Sequence, residues 1–162
     1  MKKYFYVLSF LFLFTSCTED IRFNNPAFQT LKDNVFWRGQ NYKAETDSNG
    51  IFMIEGSLGY EKINFYITGP SEKSYTLGID NVTKATYKNT YPGQEEEFST
   101  GEAKGSGQII VTEYNSEEKT ISGTFRFAAP NVNPDAEKQQ IHFTEGVFYK
   151  IPVGPGSKFS IE

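Results

Sequence analysis

The feature that most constrains this fold is a succession of short runs, from Val35 onward, in which apolar and polar residues alternate. The clearest run covers residues 62–68, where Ile63, Phe65 and Ile67 alternate with Lys, Asn, Tyr and Thr. A period of two is typical of a β-strand with one buried face, and no window of useful length shows a helical period. The sequence therefore predicts an all-β domain.

Turn residues divide this domain into about nine or ten strands, including one short edge strand near Phe98. Residues 47–50, with the sequence Asp-Ser-Asn-Gly, predict a hairpin because Asn and Gly accept positive φ angles. Short turns between successive strands predict a single antiparallel meander, and so many strands have to bury one face. We expect a barrel-like meander, with a β-sandwich as the alternative. In one late strand, Ile121, Phe125 and Phe127 share the parity expected of the core, and the opposite parity holds Ser122, Thr124 and Arg126.

The N-terminal segment has a different character. Lys2 and Lys3 give a basic start, residues 4–14 are apolar apart from Ser9, and small residues follow. This order predicts a secretory signal peptide over residues 1–16, and the apolar run is well short of the roughly 20 residues of a membrane span. We expect an acylated tether over residues 17–34, the β-domain over 35–153 and a C-terminal tail over 154–162.

Cys17 is the only cysteine, so it cannot form a disulfide within the chain. The ending Phe-Thr-Ser-Cys at residues 14–17 resembles the lipobox of bacterial lipoproteins, which implies that Cys17 is acylated, as with palmitate, and becomes the mature N-terminus. The alternative is an ordinary signal peptide with a chance cysteine. Glu19 and Asp20 resemble the export signal of Bacteroidota lipoproteins. That resemblance implies a lipid-anchored protein of the outer membrane that faces the outside of the cell.

Three blocks of the chain carry a wider resemblance. They are Cys-Thr-Glu-Asp at residues 17–20 with Phe-Asn-Asn-Pro-Ala-Phe at 23–28, then Phe36-Trp37, and finally residues 120–127 and 144–152. Together they resemble a flavobacterial lipoprotein family known as a domain of unknown function. The resemblance implies a surface location and a β-rich fold, and it implies no activity or catalytic residue.

The charge of the chain excludes one class of partner. Of 16 basic residues, Lys2 and Lys3 leave with the signal peptide, so 14 basic and 20 acidic residues remain and the net charge is −6. Nucleic acid requires clustered Lys and Arg, so we expect no nucleic-acid partner. Anionic lipid head groups would also repel this chain. Membrane attachment is therefore expected through the acyl chains on Cys17, because two or more chains anchor stably.

Catalytic and metal-binding patterns are weak. His142, the only histidine, has no nucleophile motif near it and its parity places it at the surface. The usual zinc ligand set is missing, so no metal or other cofactor is expected. Calcium stays open at residues 47–50 and 95–97, although turn chemistry and a solvated acidic loop explain them better. We expect a protein that is not an enzyme, with a carboxylate-based hydrolase as a less favoured alternative because carboxylates can pair in space.

Aromatic side chains and long loops suggest binding instead. Exposed aromatic faces stack on sugars or anchor protein partners, and long loops in compact domains are often functional. The two longest aperiodic stretches are Tyr87 to Gly107 and Pro130 to Gln139. We expect a β-domain that binds an extracellular glycan or protein there, and the alternative is a structural envelope lipoprotein without a small ligand. The candidate binding residues are Tyr87, Tyr91, Glu95, Glu96 and Glu97, whose acidic run favours a cationic partner or a calcium-bridged glycan.

Overall fold

The structure, a computed structural model, describes residues 25–47 and 49–154. The predictions for the signal peptide, Cys17, Glu19 and Asp20 and for most of the tail lie outside these residues. The described part holds eleven strands and no helix, which confirms the all-β prediction. No helix in that part is long and apolar enough to cross a membrane. The strands are β1 (Ala27–Lys32), β2 (Val35–Arg38), β3 (Asn41–Thr46), β4 (Phe52–Leu58), β5 (Glu61–Ile67), β6 (Ser74–Leu77), β7 (Lys84–Asn89), β8 (Glu96–Ser99), β9 (Ser106–Asn115), β10 (Thr120–Pro130) and β11 (Gln140–Pro152).

The strands form two antiparallel sheets packed as a sandwich, the alternative arrangement, and the described strands do not close into a barrel. One sheet has six strands in the order β2-β1-β11-β10-β9-β6, and the other has five in the order β3-β4-β5-β7-β8. The chain changes sheet after β2, β5, β6 and β8, so it is not one continuous meander. At the first crossing, the Gly39 amide donates to the Phe28 carbonyl at 2.8 Å and the Gln40 amide to the Ser57 carbonyl at 2.7 Å. These two bonds attach the β2–β3 connection to β1 in one sheet and to β4 in the other.

Strand β1 corrects the expectation that residues 27–32 belong to the tether. It lies between β2 and β11 and pairs with both. Phe28 and Thr30 face the interior, with 0 % and 2 % exposure, and Thr30 Oγ1 donates to the Thr144 carbonyl at 2.9 Å. A polar residue at an inward position removes the alternation that would have indicated this strand.

Phenylalanine rings fill the space between the sheets. Phe65 of the five-stranded sheet lies 4.6 Å from Phe125 of the six-stranded sheet, measured between ring centroids. Phe127 stacks on Phe143 at 4.6 Å. These buried rings pack the two sheets against each other.

The predicted core face of β10 is confirmed for Ile121, Phe125 and Phe127, which are 0–3 % exposed. Thr124 and Arg126 are exposed, as expected from their parity. Ser122 is buried, and the prediction that it faces solvent is wrong. The register with β9 shifts between Ser122 and Gly123, and Ser122 Oγ accepts a hydrogen bond from the Lys150 amide at 3.1 Å.

Candidate functional site

Four chain connections gather at one end of the sandwich, here called the distal end. Lys138 Nζ contacts Asp33 Oδ2 at 2.6 Å, and the Thr90 amide donates to the Tyr60 carbonyl at 3.0 Å. Strand β1 runs toward this end, so the described chain begins at the other end of the sandwich. The distal end consists of the β1–β2 turn (33–34), the β4–β5 turn (59–60), the β7–β8 loop (90–95) and the β10–β11 loop (131–139).

A groove of about 590 Å³ runs between the β7–β8 and β10–β11 loops. The Val132 amide donates to the Glu97 carbonyl at 2.8 Å, and Phe98 forms a β-bridge with Asn131, so backbone contacts hold the two segments together. The structure thus places together the two stretches that the sequence indicated separately. The groove is lined by Asn89, Gly93, Gln94, Glu95, Glu96, Glu97, Asn131, Val132, Asn133, Ala136 and Glu137.

The three carboxylates of the acidic run differ in their surroundings. Glu95 Oε2 accepts a hydrogen bond from the Gly93 amide at 3.0 Å, and Glu97 pairs with Lys88 at 3.2 Å. Glu96 is half-buried at the start of β8. Glu137 adds a fourth carboxylate from the opposite wall. The groove therefore has an acidic lining in which part of the charge is already compensated.

Tyr91 lies beside this groove with its side chain exposed. Its ring forms an edge-to-face pair with Tyr60 at 5.2 Å between centroids, and the two residues are 48 % and 57 % exposed. Seven large hydrophobic side chains are exposed in the described part of the chain, and five of them lie in or next to the distal connections. These five are Val35, Phe36, Tyr60, Tyr91 and Val132.

Tyr87 does not lie on a loop and its side chain is not presented to a ligand. It belongs to β7 and is 2 % exposed. Its hydroxyl donates to Glu61 Oε1 at 2.6 Å. Burial, followed by the Glu61 hydrogen bond and charge, raises the pKa of Tyr87 well above its ordinary value. Tyr87 therefore has a structural role in the core, and the prediction that it is a binding residue is wrong.

Glu61 accepts hydrogen bonds from side chains of both sheets, and this network was not predicted from the sequence. Trp37 Nε1 donates to Glu61 Oε2 at 2.5 Å, and Lys32 forms an ion pair with Glu61 Oε1. Burial raises the pKa of Glu61, but the hydrogen bonds from Lys32 and Tyr87 and the Lys32 charge outweigh it and lower the pKa overall. Both carboxylate oxygens of Glu61 have hydrogen-bond partners, so we infer that Glu61 has a structural role and links the two sheets. No local pattern signals it, because its donors come from β1, β2 and β7.

The predicted calcium sites and His142 show no arrangement that would bind a metal ion within the described residues. Within residues 25–47 and 49–154, no group of three or more His, Cys, Asp or Glu side chains is positioned to hold a metal ion. Asp47 Oδ1 accepts hydrogen bonds from the Asn49 and Ile51 amides, both at 2.8 Å, which is turn chemistry. His142 is exposed, and its Nδ1 lies 3.6 Å from Asp33 Oδ1.

Comparison with known proteins gives one finding. A family model described as a domain of unknown function (DUF6252) matches residues 24–152, which is most of the chain and includes β1. No curated protein and no solved structure matches the chain.

Proposed function

Because the chain belongs to the family described as a domain of unknown function (DUF6252), a description that assigns no activity, we propose its function from its geometry. The protein is a surface-exposed outer-membrane lipoprotein whose β-domain is not an enzyme and binds an extracellular ligand or partner. The binding surface is the distal end, and the attachment to the membrane is an acylated Cys17. The aromatic pair beside the acidic groove is the observation that carries this proposal.

The aromatic pair is a surface on which a ligand can dock. Tyr60 and Tyr91 hold their exposed rings edge to face, so together they present one aromatic surface to solvent. Tyrosine supplies a large amphipathic contact area at a low entropic cost, both for stacking on sugars and for anchoring a protein. The carboxylates next to it favour a partner that carries positive charge or a cation.

The direction of β1 supports this assignment. Cys17 lies eight Cα–Cα steps before Asn25, and these steps span at most about 29 Å when extended. The six residues of β1 then rise by about 20 Å toward the distal end. A lipid on Cys17 would therefore attach on the side of the sandwich opposite the distal end, and this arrangement leaves the distal end free to face outward.

The alternative is a structural envelope lipoprotein with no small ligand. The filled interior favours it over proteins that enclose a ligand, and in that case the exposed apolar side chains at the distal end would contact another envelope component. A carboxylate-based hydrolase ranks third, because it would need two of the groove carboxylates to face one substrate bond.

The test compares a double variant, Tyr60→Ser with Tyr91→Ser, against Ile79→Ser, which removes an exposed apolar side chain from the β6–β7 connection. Purified proteins are titrated against extracted cell-envelope glycans, and their binding to intact cells is measured. We expect the double variant to lose at least about tenfold in affinity, while the Ile79 variant binds like the parent. Equal binding by all three proteins would overturn the proposal, and so would hydrolysis of a glycan by the parent.

A further inference from the structure

Arg126 is an unpaired cation in the middle of the outer face of the six-stranded sheet. It is exposed, and it lies directly opposite Gln108 of β9. Within the described residues, its guanidinium takes part in no ion pair, hydrogen bond or ring contact. By contrast, several lysines of the domain have a carboxylate partner: Lys32, Lys43, Lys62, Lys88 and Lys138.

Two shallow grooves flank this arginine, and both are lined by Arg126 and Gln108. The first groove has a volume of about 390 Å³ and the second about 460 Å³. Both volumes fall in the range of small-molecule sites. The other polar side chains of the first groove are Ser106, His142 and Thr144, and those of the second are Thr124 and Glu145.

A β-bulge opposite Arg126 creates this open space. The β10–β11 pairing passes from Phe125↔Gly146 to Phe127↔Phe143, so the partner strand has an extra residue at this point. Bulges bend a strand and redirect its side chains, and they are frequent beside binding sites.

The chemistry around the first groove suits one kind of ligand. A guanidinium presents a planar pair of N–H donors that matches a carboxylate in a bidentate geometry. Ser106, Gln108 and Thr144 supply neutral donors and acceptors that suit hydroxyl groups. No acidic side chain lines this groove, whereas Glu145 lines the second one. The formal net charge of the chain is −4, which provides no general attraction for anions, so anion binding here depends on Arg126.

We propose that the first groove binds a sugar acid. Its carboxylate pairs with Arg126, and its hydroxyl groups bond to Ser106, Gln108 and Thr144. The site lies on a sheet face and shares no lining residue with the acidic groove of the distal end, so it can be tested independently of the binding function proposed above.

The experiment is a calorimetric titration of the full chain in detergent with oligomers of galacturonic acid, and with galactose oligomers of the same length. The variants are Arg126→Gln, Arg126→Lys and, as a control for loss of charge, Lys104→Gln at another exposed cation. We expect saturable binding of the acidic oligomer only. Arg126→Gln weakens it by at least about tenfold and Arg126→Lys by less, since lysine keeps the charge without the bidentate fork. Lys104→Gln leaves it within about twofold.

Several results would overturn the proposal. They are an absence of saturable binding, equal affinity for the neutral oligomer, and unchanged affinity in the Arg126→Gln protein. A sulfated galactose oligomer or an acidic peptide that binds more tightly than the uronate, and depends on Arg126, would replace the sugar acid as the ligand. Because Arg126 is exposed, thermal unfolding of the variants should match that of the parent, and binding losses then report the site itself.

Discussion

The ring of Phe28 lies directly over the backbone of Gly56, so that a β-carbon on Gly56 would lie 2.6 Å from the ring. Phe28 belongs to β1 of the six-stranded sheet and Gly56 to β4 of the five-stranded sheet. Phe28 also stacks on Phe65 at 5.7 Å and lies 5.3 Å from Phe125. The first strand of the domain is therefore held to the opposite sheet by an aromatic ring that needs a glycine beneath it.

This contact predicts that Gly56→Ala destabilises the domain. The added methyl group has to displace the buried Phe28 ring, and overpacking of this kind costs about 1–3 kcal/mol. Urea unfolding measures the free energy. Gly39→Ala is the matched control, because a β-carbon there makes only ordinary contacts at 3.4–3.5 Å. Equal effects of the two substitutions would contradict the packing described here.

Truncating the central phenylalanine of β10 tests the register of that strand. Phe125 is 3 % exposed and contacts Phe28 and Phe65. Phe125→Ala should lower the free energy of unfolding by about 3–5 kcal/mol, a large part of the about 5–15 kcal/mol available to a domain. Thr124→Ala, next to it on the exposed face, should cost far less. A urea midpoint that barely moves for Phe125→Ala would show that the register is wrong.

The Glu61 network predicts a pH dependence of stability. The pKa of Glu61 is lowered in the folded state from its ordinary value of 4.5, so its contribution is present above that value and is lost as the pH falls through the folded-state pKa. Glu61→Gln should cost about 1–3 kcal/mol at pH 7, because it removes the charge that Lys32, Trp37 and Tyr87 contact. This cost should shrink as the pH falls from 4.5 toward the lower pKa of the folded state, because the unfolded chain takes up the proton before the folded protein does.

Urea unfolding at pH values from 7 to 3 measures this cost, with the exposed Glu117→Gln as the control. A Glu61→Gln effect that stays constant over the whole range would show that its charge is not involved. An equal effect of Glu117→Gln would assign the pH dependence to general charge.

Membrane attachment should depend on Cys17. Replacing it with Ala removes the proposed acylation site, and the net negative charge of the chain gives no general attraction to anionic lipid head groups. Detergent phase separation of fractionated cells should move the variant from the membrane fraction to the aqueous fraction. A variant that still partitions like the parent would rule out Cys17 as the anchor.

Surface display should depend on Glu19 and Asp20. Changing both residues to Ala should leave acylation intact and protect the protein from protease added to whole cells. Protease access is measured beside that of an unrelated surface protein, and acylation is measured by metabolic labelling. Equal protease access in the parent and the variant would show that these acidic residues do not direct the protein to the cell surface.

Much of the strand pattern could be predicted, because alternation and turn chemistry are local properties. The clearest alternating run, residues 62–68, corresponds to β5, and the expected short strand around Phe98 is β8. The two long loops were also visible as aperiodic stretches. Strand β1 was missed, since Thr30 occupies an inward position where an apolar residue was expected.

The placement of the site residues was less predictable. Tyr91 is exposed as expected, but the same reasoning chose Tyr87, whose hydroxyl lies within the Glu61 network. An amphipathic tyrosine on a strand has the same local pattern whether its hydroxyl reaches water or a buried partner. The distinction depends on residues 26 and more positions away in the chain.

The sequence by itself determined that this chain forms β-strands, where most of them lie and which side chains of β10 face the core, because a strand places alternate residues on opposite faces. Only the tertiary structure decided that the strands divide into two sheets and that two separate loops line one groove. It also decided that Arg126 has no partner among the residues that the structure describes. These outcomes depend on four sheet crossings and on bulges in β11, whose energies come from contacts between residues far apart in the chain.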